Sequence, residues 1–218
     1  KMYQIGEYVF YWANYAFWYG GNVSRPKSLV KWQNLIRELV AHSVARYGKS
    51  EVDQWYWEVY NEPNLGYANS DITEYNKLYD HAVEGAVAAD PDVKIGGAAM
   101  DASGIYTGYF YNFLDHCRSG VNYANQRTGT RINFFSHHAY PDNFGSVGDA
   151  RCYRERHNFF TQEINNYYGA LNLEQLMTET GTSYYVFGRN DGYYESHDSG
   201  QSASFAAQRK RSSSHTPQ

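Results

Sequence analysis

Residues 55 to 64 read WYWEVYNEPN. The run of aromatic residues with Val59 predicts a buried strand over residues 55–61, and Pro63 ends it because proline cannot donate to a strand ladder. Proline also favours an extended backbone in the residue before it, so Glu62 is expected to be extended. The stretch therefore delivers a carboxylate, Glu62, where a strand gives way to a loop.

A second stretch has the same form. Residues 176 to 181 read LMTETG, and a strand predicted over residues 175–179 ends in the carboxylate of Glu179. In parallel α/β folds the loops that follow the strands build the active site. A carboxylate at that place, with no lysine or arginine beside it in the sequence, is costly to bury for structure alone, which favours a chemical role.

Strands and helices alternate along the rest of the chain. Apolar residues at helical spacing and capping residues predict helices over residues 27–47, 71–89, 105–117 and 151–168. Further strands are predicted over residues 93–98 and 132–138, and residues 1–25 are predicted as strand or irregular loop. This alternation predicts the α/β class, with a parallel sheet or barrel and helices outside it.

The composition argues against two kinds of partner. The 218 residues carry 19 basic and 23 acidic groups, a net charge of −4, so the chain lacks the basic field that binds nucleic acid. Its apolar runs are short and interrupted, so no membrane span is expected, and Lys1 leads into strand-like sequence instead of a signal peptide. Two cysteines, Cys117 and Cys152, permit one disulfide at most.

Aromatic residues make up 18% of the chain. Tyrosine and tryptophan offer a flat apolar face with a polar edge, which suits sugar rings as well as core packing. Paired carboxylates from two strands are what glycoside hydrolysis requires: one, kept protonated, protonates the leaving oxygen, and the other, ionised, attacks the anomeric carbon or activates water. The interval between Glu62 and Glu179 has room for three βα units of roughly 30–40 residues each.

Residues 57 to 64, WEVYNEPN, resemble the acid/base motif of clan A glycoside hydrolases, (β/α)8 enzymes with catalytic glutamates on strands 4 and 7. The longer stretch over residues 32–65 is most similar to glycoside hydrolase family 39, the family of β-xylosidases and α-L-iduronidases. The resemblance implies that Glu62 is the general acid/base and Glu179 the nucleophile, and that Asn61 hydrogen-bonds the sugar 2-hydroxyl. Because neighbouring strand residues point to opposite faces, Asn61 and Glu62 reach one site only where the strand ends or bulges.

Residues 136 to 141 read SHHAYP at the end of the predicted strand 6. His138 and Tyr140 share parity and face the same side. The resemblance implies that Tyr140 donates a hydrogen bond to the nucleophile, which helps to hold Glu179 ionised, and that His138 lines the substrate site. His137 points away and is interpreted as structural. Because adjacent histidines face oppositely and no HExxH or cysteine partner accompanies them, no metal is predicted, and no cofactor motif is present.

Four further residues are weaker candidates. Glu58 shares parity with Glu62 and is interpreted as an inward-facing structural carboxylate. Asn64, Trp18 and Tyr67 suit either a sugar subsite or ordinary packing.

The length departs from the family pattern. A (β/α)8 barrel takes about 250 residues, and too few residues precede Trp55 for strands 1 and 2, or follow Glu179 for strand 8. The predicted fold is therefore an incomplete (β/α)8 TIM barrel with about strands 3 to 7. Residues 1–208 are predicted as a partial catalytic domain and residues 209–218 as a disordered polar tail. Strands 3 and 7 would have exposed edges, which a partner or further segments would cover to complete the barrel.

The function predicted from these residues is a retaining glycoside hydrolase acting on β-linked oligo- or polysaccharides, xylosidase-like. Polymeric substrates favour an extracellular or periplasmic location. Two alternatives stay open. One is an agarase or other galactan-cleaving enzyme, which the aromatic, glycine-containing residues 184–194 also fit. The other is a non-catalytic carbohydrate-binding protein that kept the motifs without the complete barrel.

Overall fold

The computed structural model describes residues 2–5, 23–141 and 151–181. They belong to two compact units. The first contains residues 2–5, 23–137 and 170–176, and the second contains residues 138–141, 151–169 and 177–181. The polar tail predicted over residues 209–218 lies outside the described residues.

Five strands follow one another in the sheet in the same order as in the chain. They are β1 (Met2–Ile5), β2 (Tyr56–Val59), β3 (Lys94–Met100), β4 (Phe134–Ala139) and β5 (Glu174–Thr180). β1 to β4 pair in parallel, and parallel neighbours need a crossover connection, which helices supply here. The prediction of a parallel sheet with helices between its strands is confirmed for β1 to β4.

Helices precede or connect these strands. They are α1 (Leu29–Tyr47), α2 (Lys49–Val52), α3 (Pro63–Gly66), α4 (Ile72–Ala89), α5 (Ser103–Tyr106), α6 (Tyr109–Ser119) and α7 (Arg151–Tyr167). Asp71 caps α4 as predicted, because its side chain accepts a hydrogen bond from the Thr73 N–H. The predicted start of the first helix at residue 27 is wrong by two residues. Ser28 is extended and caps the helix, because its side chain accepts a hydrogen bond from the Lys31 N–H.

The helix predicted over residues 105–117 is two helices. Gly108 has a φ of 74°, in the left-handed region. Glycine adopts this conformation at little cost, and it ends one helix before the next begins. α5 and α6 are therefore separate elements, and α6 alone carries the buried face with Phe110, Phe113 and Leu114.

Aromatic side chains fill much of the core of the first unit. Trp57, Tyr75 and Tyr79 are completely or almost completely buried, and the Phe113 ring lies 5.4 Å from Tyr75 and 5.0 Å from Tyr79 between centroids. Such tilted and edge-to-face contacts are favourable arrangements of aromatic pairs. In the described part of the chain, these aromatic residues serve packing and not sugar binding.

The Cys117 thiol is buried in α6 and is not part of a disulfide. Burial, with a smaller contribution from the Asp80 charge, holds the pKa of this thiol well above its ordinary value. Among the described helices, none combines the length and the apolar character needed to cross a bilayer.

α1 and α4 cross closely at Gly85. A Cβ atom placed on Gly85 would meet the Gln33 carbonyl oxygen and would lie 3.1 Å from the Gln33 carbonyl carbon and 3.3 Å from the Arg37 nitrogen. All three are main-chain atoms, which cannot swing aside as a flexible side chain would. Near this crossing the Trp32 indole N–H donates to the Leu78 carbonyl at 3.0 Å.

We expect Gly85→Ala to destabilise the protein. Alanine is the better helix former by about 1 kcal/mol, but the main-chain overlap with α1 costs more, for a net loss of about 1–2 kcal/mol. The midpoint of urea unfolding measures the change. Gly169→Ala is the control, because its added methyl has no atom within 4 Å other than those of Gly169 itself and of its two neighbours in the chain. A Gly85→Ala protein as stable as its parent would contradict the close crossing.

Candidate active site

The backbone leaves the pleated conformation directly after β2. Tyr60 has a φ of 72°, and Glu62 has φ 47° and ψ 53°. The prediction that Glu62 is extended is therefore wrong: it is left-handed, and Pro63 begins α3. The strand ends at Val59, two residues before the predicted end. Asn61 and Glu62 therefore lie outside the strand, where neighbouring side chains need not point to opposite faces. This is the condition that the sequence set for both residues to reach one site.

Main-chain hydrogen bonds hold Glu62 in this conformation. Its N–H donates to the Ala99 carbonyl at 3.0 Å, and its own carbonyl accepts from the Leu65 N–H at 2.9 Å. Left-handed backbone at a non-glycine residue costs about 1–3 kcal/mol and persists where surrounding contacts fix it, often at functional sites. Glu62 is half-buried, while Asn61 beside it is 1% exposed.

The weaker candidates near Glu62 are buried or have contacts within the first unit. Asn64 accepts from the Asp101 N–H at 3.2 Å through its carbonyl oxygen and donates to Ser103 Oγ at 3.1 Å through its amide nitrogen. Tyr67 is buried and packs edge-on against Tyr60 at 4.9 Å between ring centroids. Glu58 is buried at 2% exposure. Trp18 lies outside the described residues.

In the second unit, Glu179 is held by a tyrosine. Tyr140 Oη donates to Glu179 Oε1 at 2.7 Å, a length typical of a strong bond to a carboxylate. His138 is 1% exposed, and its Nδ1 lies 3.7 Å from Glu179 Oε2, too far for a hydrogen bond but close enough for attraction if the imidazole is protonated. The Thr180 hydroxyl donates to the Ala139 carbonyl at 2.8 Å and ties the ends of β4 and β5 together.

His137 has different surroundings, in the first unit. Its Nε2 lies 3.2 Å from the Gln175 amide nitrogen, and because an amide nitrogen only donates, this ring nitrogen accepts. The ring stacks on Phe135 at 6.2 Å and is completely buried. These contacts agree with the interpretation of His137 as structural. The hydrogen bond expected from Tyr140 to Glu179 is present, and the catalytic and binding roles of the five predicted site residues stay predictions.

Sequence reasoning gave no role to Ser136 and Ala99. The Ala99 N–H donates to Ser136 Oγ at 2.9 Å, and the Ala99 carbonyl is the acceptor for Glu62. The run Gly96, Gly97, Ala98, Ala99 was the available signal, because small residues in a strand mark a bulge or a close approach of backbone.

Comparison with known proteins identifies the family. The family described as Glycosyl hydrolases family 39 matches residues 9–166, which is more than half of the chain. The chain belongs to glycosyl hydrolases family 39. The matched region includes Asn61, Glu62, His138 and Tyr140 and ends before Glu179.

Relatives in this family include two kinds of curated enzyme. A β-xylosidase of Caldicellulosiruptor saccharolyticus is 37% identical over 130 residues, which are 58% of this chain and 24% of that protein. An α-L-iduronidase of Homo sapiens is 29% identical over 116 residues, 51% of this chain and 18% of that protein. The chain thus spans about a quarter of the length of the curated β-xylosidases it matches.

Solved structures agree on the fold. A family 39 β-xylosidase from Caulobacter crescentus superimposes with a TM-score of 0.62 at 31% identity, over 90% of this chain and 38% of that one. A bacterial orthologue of human α-L-iduronidase gives a TM-score of 0.68 at 23% identity, over 84% of this chain and 30% of that one. The strands described here are part of a (β/α)8 barrel, as the sequence predicted.

We expect Tyr140→Phe to lower kcat/KM on an aryl glycoside by about 10–100-fold, since a hydrogen bond to a charged group contributes about 1.5–3 kcal/mol. The change removes only the hydroxyl that donates to Glu179. Steady-state kinetics of the full-length protein measure it. Tyr167→Phe is the matched control in the same unit, because Tyr167 is 60% exposed. Equal activity in both variants would show that the bond does not serve the reaction.

Proposed function

We propose that this family 39 chain carries the site of a retaining glycoside hydrolase that cleaves β-glycosidic bonds, xylosidase-like. The observation that supports it most directly is the 2.7 Å hydrogen bond from Tyr140 to Glu179. This bond fixes the position of the carboxylate, and a nucleophile must be held close to the atom that it attacks. The 37% identity to β-xylosidases favours a xylose-type sugar over the uronic acid of the more distant iduronidases.

Glu179 is the proposed nucleophile. One of its carboxylate oxygens forms a bond to the anomeric carbon while the bond from that carbon to the leaving oxygen breaks, which gives a covalent glycosyl-enzyme. In the second step water attacks the same carbon, the glycosyl–Glu179 bond breaks, and the carboxylate is restored. Tyr140 and His138 line the substrate site beside Glu179 in this proposal.

Glu62 is the proposed general acid/base. In the first step its proton goes to the leaving oxygen, and in the second step its carboxylate takes a proton from the attacking water. Its position after β2 supports this role, because the carboxyl ends of the strands form the catalytic face of (β/α)8 enzymes. The buried Asn61 beside it is proposed to hydrogen-bond the sugar 2-hydroxyl.

The remaining parts of the prediction are proposals of the same kind. Residues 1–208 form part of the catalytic domain, and further segments of the protein or a partner chain complete the barrel. The substrate is an oligo- or polysaccharide. The galactan-cleaving alternative depended on residues 184–194, which lie outside the described residues.

Two glutamate variants separate the proposed roles. We expect Glu179→Ala to abolish turnover of an aryl β-xyloside. Glu62→Ala should lose about 10²–10⁴-fold in kcat/KM on a xyloside with a poor leaving group and far less on a dinitrophenyl xyloside, whose departure needs no proton. Azide should accelerate turnover of the dinitrophenyl xyloside by Glu62→Ala, because azide attacks the glycosyl-enzyme in place of water and needs no general base. The product is then a glycosyl azide.

Exposed glutamates provide the controls. Glu38→Ala in the first unit and Glu155→Ala in the second should leave both substrates unaffected, since both side chains are exposed. An azide-insensitive Glu62→Ala enzyme would contradict the role of Glu62. Sugar binding without turnover in the full-length protein would instead favour the carbohydrate-binding alternative.

The stereochemistry of the first product tests the mechanism as a whole. Retention requires the two carboxyl groups about 5–5.5 Å apart, and inversion requires about 6.5–9.5 Å. We expect the β-anomer as the first product from a β-xyloside, followed by slow mutarotation. Proton NMR of the anomeric signals during hydrolysis distinguishes retention from inversion. An initial α-anomer would contradict the double-displacement mechanism.

A further inference from the structure

β3 departs from regular pairing before it ends. Its register against β4 shifts between Gly97 and Met100, and Ala99 within that interval has a φ of 46°. Such a shift marks a bulge, which removes main-chain groups from the ladder. The N–H and carbonyl of Ala99, a residue with no exposed surface, therefore need partners outside the ladder.

One partner lies on the neighbouring strand β4, and the other lies in the turn that follows β2. On one side the Ala99 N–H donates to Ser136 Oγ at 2.9 Å, and Ser136 is a completely buried residue of β4. On the other side the Ala99 carbonyl accepts from the Glu62 N–H at 3.0 Å. One side-chain oxygen on β4 is thus linked, through a single residue of β3, to the backbone of Glu62.

Glu62 depends on this link more than an ordinary residue would. Its left-handed conformation precedes a proline, a position that favours extended backbone, so contacts must hold it in place. The neighbouring Asn64 fixes a different segment, the turn at Asp101 and Ser103. The Asn64 side chain thus restrains Asp101 and Ser103, whereas the Ala99 carbonyl restrains the N–H of Glu62.

We propose that Ser136 is a positioning residue for Glu62 and acts through the backbone of Ala99. The inference rests on the proposed role of Glu62 as general acid/base. Without the Ser136 hydroxyl the N–H of the Ala98–Ala99 peptide is buried and unsatisfied, and this peptide rotates toward another partner. The Ala99–Met100 peptide, which carries the Ala99 carbonyl, is joined to it at the Ala99 Cα and shifts as well. The Ala99 carbonyl then moves, and Glu62 moves with it.

The proton-transfer step reports such a movement. A general acid must lie within hydrogen-bond reach of the leaving oxygen, and a displacement near 1 Å can cost about 10²-fold in rate. A dinitrophenyl leaving group departs without a proton, so kcat/KM on that substrate does not depend on the place of Glu62. A general loss of folding or of substrate binding would lower kcat/KM equally for both substrates.

The test compares the two leaving groups in Ser136→Ala and Ser136→Thr. We expect Ser136→Ala to lower kcat/KM about 10–100-fold on a xyloside with a poor leaving group and to change it by less than about threefold on a dinitrophenyl xyloside. Ser136→Thr keeps the hydroxyl and should retain the parent's kcat/KM on the xyloside with a poor leaving group. Should Ser136→Ala fail to fold, Ser136→Cys, with its weakly accepting sulfur, should show the same selective loss to a smaller degree.

A double-mutant cycle and a second serine provide the controls. In a Glu62→Ala background, adding Ser136→Ala should change kcat/KM by less than about threefold, because no proton donor remains to be positioned. Ser43→Ala removes another buried serine hydroxyl, which donates to the Leu39 carbonyl in α1, and should leave both substrates unchanged.

Three results would overturn the proposal: an equal loss of kcat/KM on both substrates, the full loss of Ser136→Ala in the Glu62→Ala background, or a Ser136→Ala protein that matches its parent. Failure of the proposed function looks different. Glu62→Ala would then lack the leaving-group dependence and the azide effect, whatever Ser136→Ala shows. If Glu62→Ala behaves as an acid/base variant and Ser136→Ala matches its parent, only the positioning role is lost.

Discussion

A main-chain hydrogen bond, 3.0 Å from the Glu62 N–H to the Ala99 carbonyl, helps to fix the backbone that carries the carboxylate of the first unit. It forms where β2 has ended and β3 bulges, so neither group belongs to the regular ladder. Both residues are left-handed. The bond satisfies two groups that would otherwise need other partners, which offsets the cost of that conformation. Ser136 accepts from the Ala99 N–H, and a short helix begins at Pro63.

The second unit holds its carboxylate in another way. Glu179 is restrained through its side chain, by the Tyr140 hydroxyl, while the backbone around it stays in a regular strand. The Tyr140 hydroxyl fixes a carboxylate oxygen of Glu179, whereas the bond to Ala99 fixes the backbone that carries Glu62.

Family membership and function rest on different observations. The match over residues 9–166 establishes glycosyl hydrolases family 39, and the superposition on a family 39 β-xylosidase accounts for the fold. A fold supports many chemistries, so the reaction has to be argued from the site. Here that argument depends on Glu62, in the turn after β2, and Glu179, near the end of β5, and only the first of them lies in the matched region.

The sequence by itself determined the order of the elements, the Asp71 cap, the parallel sheet and the two strand-end glutamates, because local pattern and capping chemistry act over a few neighbouring residues. It failed where a distant residue overrides a local preference. Pro63 predicts an extended Glu62, but the residue is left-handed, and its N–H bonds to Ala99 on another strand. The partnership of Ser136 with Ala99 was likewise decided by the tertiary structure, since a bulge exposes its main-chain groups to whichever side chain the adjacent strand places there.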